Sequence, residues 1–187
     1  DNTTDATVSV ASVVKTGLVS GDVVTVAATG VFSDENAGTG KTVTLTSSYG
    51  GAQVGNYSIT NQASTTANIT PLTVNLSGDS GLTKVYDATT SVTPALTSPA
   101  TGYGALSVAA GYAAALTADS AISGGLVITG TPVFSASNAG SVTVNQGSVL
   151  LTGSRAGNYS LAWTAPAATI TPAPLTITAN DDGKFYS

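Results

Sequence analysis

The 187-residue chain contains one sequence unit twice, and this repeat limits the folds open to it. Three motifs recur in the same order and at nearly equal spacing: "GVFSDENAG" (30–38) with "PVFSASNAG" (132–140), "GNYSIT" (55–60) with "GNYSLA" (157–162), and "ANITPLTV" (67–74) with "ATITPAPLTI" (168–177). A repeat has to be recognised before any other pattern, because it sets the number and size of the units that fold.

The stretch "GLTKVYDATTSV" (81–92) lies where the two copies meet. Its "KVY" (84–86) matches the "KFY" (184–186) near the end of the chain, and its "DATT" (87–90) matches the start of the chain, "DNTTDATVSV". We interpret the stretch as a seam, where one copy closes and the next begins. A short, partly ordered joint of this kind favours a stiff array over a slack one.

The seam divides the chain into two predicted domains, residues 1–83 and 84–183, with residues 184–187 starting a following repeat. The second copy is longer and carries an insert near residues 101–121. The insert is rich in alanine, which favours a short helical turn, but its glycines favour a hairpin or loop, and both remain open.

Outside the insert the local pattern is that of β-strands. Large apolar residues alternate with small or hydroxyl-bearing ones in "TVSVASV", "DVVTVAA", "KTVTLTSS", "NYSIT" and "PLTVNL", and again in "GLVIT", "SVTVNQGSVLL", "NYSLAW" and "PLTIT". Pro71, Pro172 and Pro174 each precede such a run, as expected where a strand breaks or crosses between sheets. We predict an all-β fold of two tandem antiparallel, immunoglobulin-like β-sandwiches, with β-grasp-like repeats as the alternative.

Composition and charge argue against several classes of function. The net charge is −5, and the five basic residues are scattered: Lys15, Lys41, Lys84, Arg155 and Lys184. We therefore expect no nucleic-acid partner. There is no apolar run of ~18 residues, so we expect no membrane insertion. Only 8% of residues are charged, which gives a neutral polar surface suited to exposure outside a cell.

The chain has no histidine, cysteine or methionine. The usual general base and the strongest nucleophile are therefore missing, as are thiolate metal ligands, and we expect neither an enzyme nor a cofactor. The best acidic pair is Asp34-Glu35, but the second copy has Ala136-Ser137 there. A hairpin tip with solvated charges is the better interpretation of the pair.

Calcium at the joints is a further hypothesis. Asp79 precedes the first Lys-x-Tyr, and Asp181-Asp182 precede the second. Calcium requires six to eight oxygen ligands, so one or two carboxylates at each joint are few. Turn-forming aspartates are the favoured interpretation. A lysine–asparagine isopeptide cross-link would need a buried lysine, asparagine and carboxylate together, which the sequence alone does not establish.

The recurring Asn-Tyr pairs and the single tryptophan are candidates for sugar contact. Asn56-Tyr57 and Asn158-Tyr159 each follow a glycine, which favours a structural corner in which the tyrosine buries its ring and bonds a backbone carbonyl. Trp163 has no tryptophan counterpart in the first copy, and we expect it to pack at the edge of its sandwich.

The motifs "KVYDATT", "GVFSDENAGTGKTVTL", "GNYSIT" and "ITPLTV" resemble the YDG-type repeat, related to the MBG type, of large secreted bacterial adhesins similar to filamentous haemagglutinin and exported by two-partner secretion. The resemblance implies a stalk at the bacterial cell surface that holds a distal binding domain away from the cell. Its partners would be neighbouring repeats, with surface glycans or the host or biofilm matrix as further candidates. The alternative is a carbohydrate- or protein-binding module that uses the insert at 101–121.

The sequence departs from the family pattern at Ala88, where the motif normally has glycine. This departure predicts that the backbone at Ala88 does not need a positive φ.

Overall fold

The computed structural model describes residues 2–92, 106–180, 183–184 and 186, and in this part of the chain the structure is mostly β-sheet. The strands and the α-helix are β1 (Asp5–Ala6), β2 (Thr25–Phe32), β3 (Gly38–Gly50), β4 (Ser64–Ile69), β5 (Leu72–Ser77), β6 (Thr83–Val85), β7 (Ser107–Val108), α1 (Ala113–Ala121), β8 (Val127–Thr129), β9 (Val133–Phe134), β10 (Gly140–Asn145), β11 (Leu150–Thr152), β12 (Tyr159–Thr164) and β13 (Ala167–Thr171). The predicted all-β class is confirmed.

One compact unit of the chain holds residues Asp1–Val74, Val108–Val127 and Leu151–Ser160. Its sheet has the strand order β1-β2-β3-β4, and every neighbouring pair is antiparallel. The long hairpin of β2 and β3 is the predicted one, because both strands carry a valine- and threonine-rich alternation. Val43 on β3 is buried on the inner face of this sheet.

The other compact unit holds residues Asn75–Ser107, Ile128–Leu150 and Leu161–Ser187. Its sheet has the order β6-β13-β10-β9. Strand β10 is antiparallel to both neighbours, whereas β13 runs parallel to β6. Buried apolar side chains on these elements form one core: Val92, Phe134, Val142, Val144, Ala168 and Ile170, with Leu82 and Trp163 packed against it.

Two smaller sheets have the orders β11-β8 and β12-β5-β7. Comparison of the copies shows that β8 and β9 together cover the counterpart of β2, and β10 and β11 the counterpart of β3. The second hairpin is interrupted at Gly130, which has φ +87° and would place a Cβ only 2.1 Å from the Ser148 carbonyl oxygen. At this break the backbone N–H of Ser148 donates to the Thr131 carbonyl at 3.1 Å, and the backbone N–H of Thr131 donates to the Ser148 hydroxyl at 3.0 Å, so the interruption is an ordered feature.

The described part of the insert contains a helix. Helix α1 (Ala113–Ala121) occupies most of it and buries Ala115, Leu116 and Asp119, while residues 101–105 lie outside the described part of the chain. Between the two alternatives, the alanine-rich composition therefore prevailed over the glycines. No helix in the described ranges has the length and apolarity needed to cross a membrane.

Three of the predicted strands are wrong. Residues 7–13, 56–60 and 174–178 are not assigned to strands, although each has the alternating pattern. The counterpart of residues 56–60 in the second copy does form a strand, β12, and there β5 lies beside it. A segment with an alternating pattern forms a strand only where a neighbouring strand pairs with its backbone. This explains why the pattern forms a strand in the second copy and not in the first.

Candidate functional site

The seam forms a compact site around a buried lysine. Lys84 lies on β6 and is 4% exposed. Its Nζ donates to the backbone oxygens of Thr89 (2.8 Å) and Ser91 (3.0 Å) and to the Thr89 hydroxyl (2.9 Å). It also pairs with the Asp87 carboxylate at 2.7 Å and lies 5.6 Å from the centroid of the Phe134 ring. A buried ammonium group is tolerated only when its donors are satisfied in this way.

The carboxylate of Asp87 is the acidic member of this site. Besides the lysine, it accepts the backbone N–H of Thr89 and the Thr89 hydroxyl, both at 2.9 Å. The nearby Lys84 ammonium group, followed by these hydrogen bonds, lowers the pKa of Asp87 to about 2. The sequence "KVYDATT" therefore folds into an aspartate-anchored turn closed over its own lysine.

The turn needs a residue with positive φ, so the prediction made for Ala88 is wrong. Ala88 has φ +62°, and Asn2, its counterpart in the first copy, has φ +55°. Among the described residues these are the two non-glycine residues with positive φ. Asparagine tolerates this conformation, whereas the Cβ of alanine makes it strained. The glycine that the family motif normally has at this position would adopt it without strain.

The segment after this turn is anchored in the same way in both copies. The backbone N–H of Phe32 donates to the Thr4 carbonyl at 2.7 Å, and that of Phe134 donates to the Thr90 carbonyl at 2.8 Å. Asp5 pairs with Val31 in the first copy, as Ser91 does with Val133 in the second. The backbone anchor that follows the turn is therefore present in both copies.

The Asn-Tyr pairs form corners, but the partner of each tyrosine is not the predicted one. Short 3-10 helices, Val54–Asn56 and Ala156–Asn158, directly precede the two tyrosines. Tyr57 donates its hydroxyl to Asp22 at 2.6 Å and accepts the backbone N–H of Val19 at 3.1 Å. The hydrogen bond from the tyrosine therefore goes to a carboxylate and not to a backbone carbonyl, since the charged oxygen is the stronger acceptor.

In the second copy the corresponding carboxylate comes from the insert. Gly124 takes the place of Asp22, and Tyr159 donates instead to Asp119 of helix α1 at 2.8 Å. Asp119 is 1% exposed and also accepts from Asn2 at 3.1 Å. Burial, followed by the hydrogen bond to Asp119, raises the pKa of Tyr159 to about 12.

Arg155 extends this cluster within the first compact unit. It donates to Glu35 at 2.8 Å and to the side-chain oxygen of Asn36 at 2.9 Å, and its Nε lies 3.8 Å from Asp119. Asn158 donates to Asn36 at 3.1 Å and accepts the backbone N–H of Ala37 at 2.8 Å. No sequence pattern indicated Arg155 or Asp119. The counterpart of Arg155 in the first copy is the uncharged Gln53, and Asp119 lies in the insert, which has no counterpart there.

The two members of the acidic pair Asp34-Glu35 form ion pairs with different basic residues. Asp34 pairs with Lys41, and Glu35 pairs with Arg155. Lys41 and Arg155 each lower the pKa of the carboxylate that they contact, whereas a general acid needs a raised one. The pair does lie in the predicted turn between β2 and β3. The second copy has no equivalent ion pair. Ala136 stands in place of Asp34, and Val142 stands in place of Lys41, because Val142 pairs with Ala168 in the sheet as Lys41 pairs with Ala67.

The remaining candidate residues are Trp163 and the aspartates at the joints. Trp163 packs on the core of its unit and donates its indole N–H to the Val144 carbonyl at 3.0 Å, which confirms the prediction that it packs. Asp79 is half-buried in the loop after β5, and Asp181 and Asp182 lie outside the described residues. Within the described ranges no group of three or more acidic side chains could hold a metal ion.

The first compact unit also has a large cavity of about 750 Å³. Sheet residues such as Val26, Val43 and Leu45 line one side. Residues within 7–18 and 57–62, which are not assigned to strands, line the other side. One side of the cavity is therefore a paired sheet, and the other is backbone that is not part of a sheet in the described structure.

Two sequence copies of one strand-rich unit, each with a strand pair around the V-F-S motif and a tyrosine corner, define a β-rich repeat protein. The family model described as YDG domain matches residues 1–67 and again residues 70–170, and the chain belongs to the YDG domain family. No curated protein and no solved structure shows significant similarity to the chain.

Proposed function

We propose that the chain is a pair of stalk repeats from a secreted bacterial surface adhesin, and that its function is to hold a distal binding domain away from the cell. The observation that carries this proposal is the ordered seam. The residues that join the copies are not a free linker, because β6 pairs with β13 from Thr83 to Val85 and Tyr86 donates its backbone N–H to Thr171 at 2.8 Å.

The side-chain anchor of the seam supports a load-bearing role. A pull on the chain at Lys84 acts on the parallel pairing of β6 and β13 and on the lysine contacts to Asp87, Thr89 and Ser91. All of these must break before the seam can lengthen. A spacer that transmits force needs bonds of this kind at every joint.

The polar clusters support a structural function in preference to a catalytic one. Asp34, Glu35, Asp87 and Asp119 each hold a cation or a hydroxyl group of the same chain. The pKa values of Asp34, Glu35 and Asp87 are lowered, so these carboxylates stay ionised at neutral pH. We therefore propose that the chain is not an enzyme and that it acts at the cell surface.

Single-molecule stretching of the full chain between its termini tests the proposal. We expect discrete unfolding peaks, and a lower peak force for Lys84→Met. Lys184→Met, which changes the exposed lysine of the second Lys-x-Tyr, is the matched control and should leave the force unchanged. Extension of the wild-type chain without any discrete peak would rule out a load-bearing stalk.

A binding module that uses the insert is the second candidate. Tyr112 and Ile122, at the two ends of helix α1, are both exposed and offer an apolar contact surface. A glycan array distinguishes the two functions. Reproducible binding that is lost in Tyr112→Ala would favour the binding module, whereas the stalk proposal expects none. A point variant is preferable to deletion of the insert, which would remove the Asp119 that holds Tyr159.

A further inference from the structure

The turn between β2 and β3 of the first copy contacts the tyrosine corner of the second copy. The tip of this turn is residues 34–38, which contain the repeated N-A-G sequence, and the corner is residues 153–159, which contain the repeated G-N-Y sequence. Both segments lie in the first compact unit. The contact therefore joins two motifs of the repeat, one from each copy.

Asn158 of the corner holds the tip with both ends of its side-chain amide. Its Nδ2 donates to the side-chain oxygen of Asn36 at 3.1 Å, and its Oδ1 accepts the backbone N–H of Ala37 at 2.8 Å. Arg155 donates to the same Asn36 oxygen at 2.9 Å. An asparagine amide both donates and accepts, so one residue of the corner binds a side chain and a backbone group of the tip together.

The tip closes its own turn without these contacts. The Asp34 carboxylate accepts the backbone N–H of Asn36 at 2.9 Å, while Lys41 pairs with Asp34 and donates to the Asn36 carbonyl at 2.8 Å. The turn is thus held from within by Asp34 and Lys41. The side chains of Glu35 and Asn36 are directed at the corner, so their contacts join the copies and do not form the turn.

The charged residues of this contact occur only on the two halves that meet. Glu35 pairs with Arg155 at 2.8 Å, and the two side chains are 30% and 27% exposed. The equivalent residue of the other tip is Ser137, and that of the other corner is Gln53. A charge-assisted hydrogen bond is stronger than a neutral one, and complementary charges select partners. The charges therefore favour this tip on this corner.

We propose that the N-A-G tip is a docking element whose partner is the G-N-Y corner of the repeat that follows it in the same chain, and that Glu35 and Arg155 specify which tip fits which corner. The asparagines supply the common contact, because both motifs contain them in both copies. The ion pair supplies the selectivity. The inference does not depend on the proposed stalk function, since it concerns the contact itself.

Hydrogen exchange at the Ala37 amide tests the docking directly, because this N–H donates to Asn158. NMR of the full chain should show slow exchange at Ala37, and Asn158→Ala should accelerate it by at least about tenfold. The amides of β2 and β3 should change much less. Asn56→Ala, the same substitution in the other corner, is the matched control and should leave exchange at Ala37 unchanged.

Three results would overturn the docking. In the first, Ala37 of the wild-type chain exchanges as fast as Ala139, its exposed counterpart in the other tip. In the second, exchange at Ala37 is indifferent to Asn158→Ala. In the third, Asn158→Ala accelerates β2 and β3 as much as Ala37, which would mean that Asn158 only stabilises the fold.

The selectivity is tested by removing the two charges separately and together. Glu35→Gln and Arg155→Gln should each accelerate exchange at Ala37 by roughly threefold or more. The double variant should exchange no faster than Arg155→Gln alone, because Glu35 acts through Arg155. Gln53→Arg, which places a basic residue in the corner that this tip does not contact, should change nothing. A further acceleration by Glu35→Gln in the absence of Arg155 would overturn the role of the pair. Circular dichroism verifies that the variants are folded.

Discussion

The Nζ of Lys84 lies 2.7 Å from a carboxylate oxygen of Asp87, three residues further along the chain, and the lysine is buried while the aspartate remains partly exposed. Lys84→Met retains most of the buried stem but leaves the backbone oxygens of Thr89 and Ser91 without their donor. We expect a loss of about 3 kcal/mol in the free energy of unfolding. Urea unfolding measures it, and Lys184→Met should stay within about 0.5 kcal/mol of the wild type. A loss that is equal in the two variants would contradict a special role for the seam.

The same ion pair predicts a loss of stability in acid. The pKa of Asp87 is lowered to about 2 in the folded chain, below its ordinary value near 4. Its contribution is therefore fully present above pH ~4 and disappears as the pH falls through about 2. The melting temperature of the wild type should fall more steeply than that of Asp87→Asn between these values. Parallel pH profiles of the two proteins would argue that the pair contributes nothing.

Ala88→Gly should stabilise the protein. Ala88 has φ +62°, a conformation that strains a Cβ and that glycine adopts freely. We expect a gain of roughly 0.5–1 kcal/mol after the greater backbone entropy of glycine is subtracted. Ala63→Gly is the control, since Ala63 is exposed and is not among the residues with positive φ, and it should give no gain. Differential scanning calorimetry of both variants measures the difference.

Removal of the Tyr159 hydroxyl should be costly, because Asp119 is almost completely buried. Tyr159→Phe leaves the Asp119 carboxylate without one donor, and we expect a loss of about 1–2 kcal/mol. Tyr57→Phe should cost less, since Asp22 is only half-buried and water can replace the hydroxyl. Chemical unfolding of both variants gives the comparison, and a larger loss for Tyr57→Phe would contradict this account.

The raised pKa of Tyr159 adds a prediction for alkaline solution. A tyrosine whose pKa is about 12 in the folded state and near 10 in the unfolded state stabilises the fold below pH 10, and this contribution is lost as the pH rises through 12. Ultraviolet titration of tyrosine ionisation should show a group that ionises at about pH 12, and this group should be absent in Tyr159→Phe.

The hairpin of β2 and β3 was predictable because its alternating strands flank a single turn. Strands β5 and β12 were also predicted from their alternation, although their pairing with each other across the chain was not. The strand predicted at residues 174–178 failed although its sequence resembles β5. Alternation reports which face a strand would bury, but it does not report whether a neighbouring strand is present.

The polar clusters were harder to predict for a related reason. Asp34-Glu35 was visible as a pair, but its cations Lys41 and Arg155 are 7 and 120 residues distant in sequence. The positive φ of Ala88 was also not predicted. Alanine in place of the glycine of the family motif indicated a backbone with negative φ, but the fold keeps the positive φ. Tertiary packing can impose an unfavourable φ on one residue when its neighbours are well anchored.

The two tyrosine corners show how the copies have diverged. In one, the acceptor is an aspartate ahead of β2; in the other, that position is glycine and a helix of the insert presents the acid instead. An alignment of the copies shows the change from Asp22 to Gly124 as the loss of an acceptor, whereas the structure shows that Asp119 takes over the same role. Sequence identity between the two copies therefore understates how much of their side-chain chemistry they share.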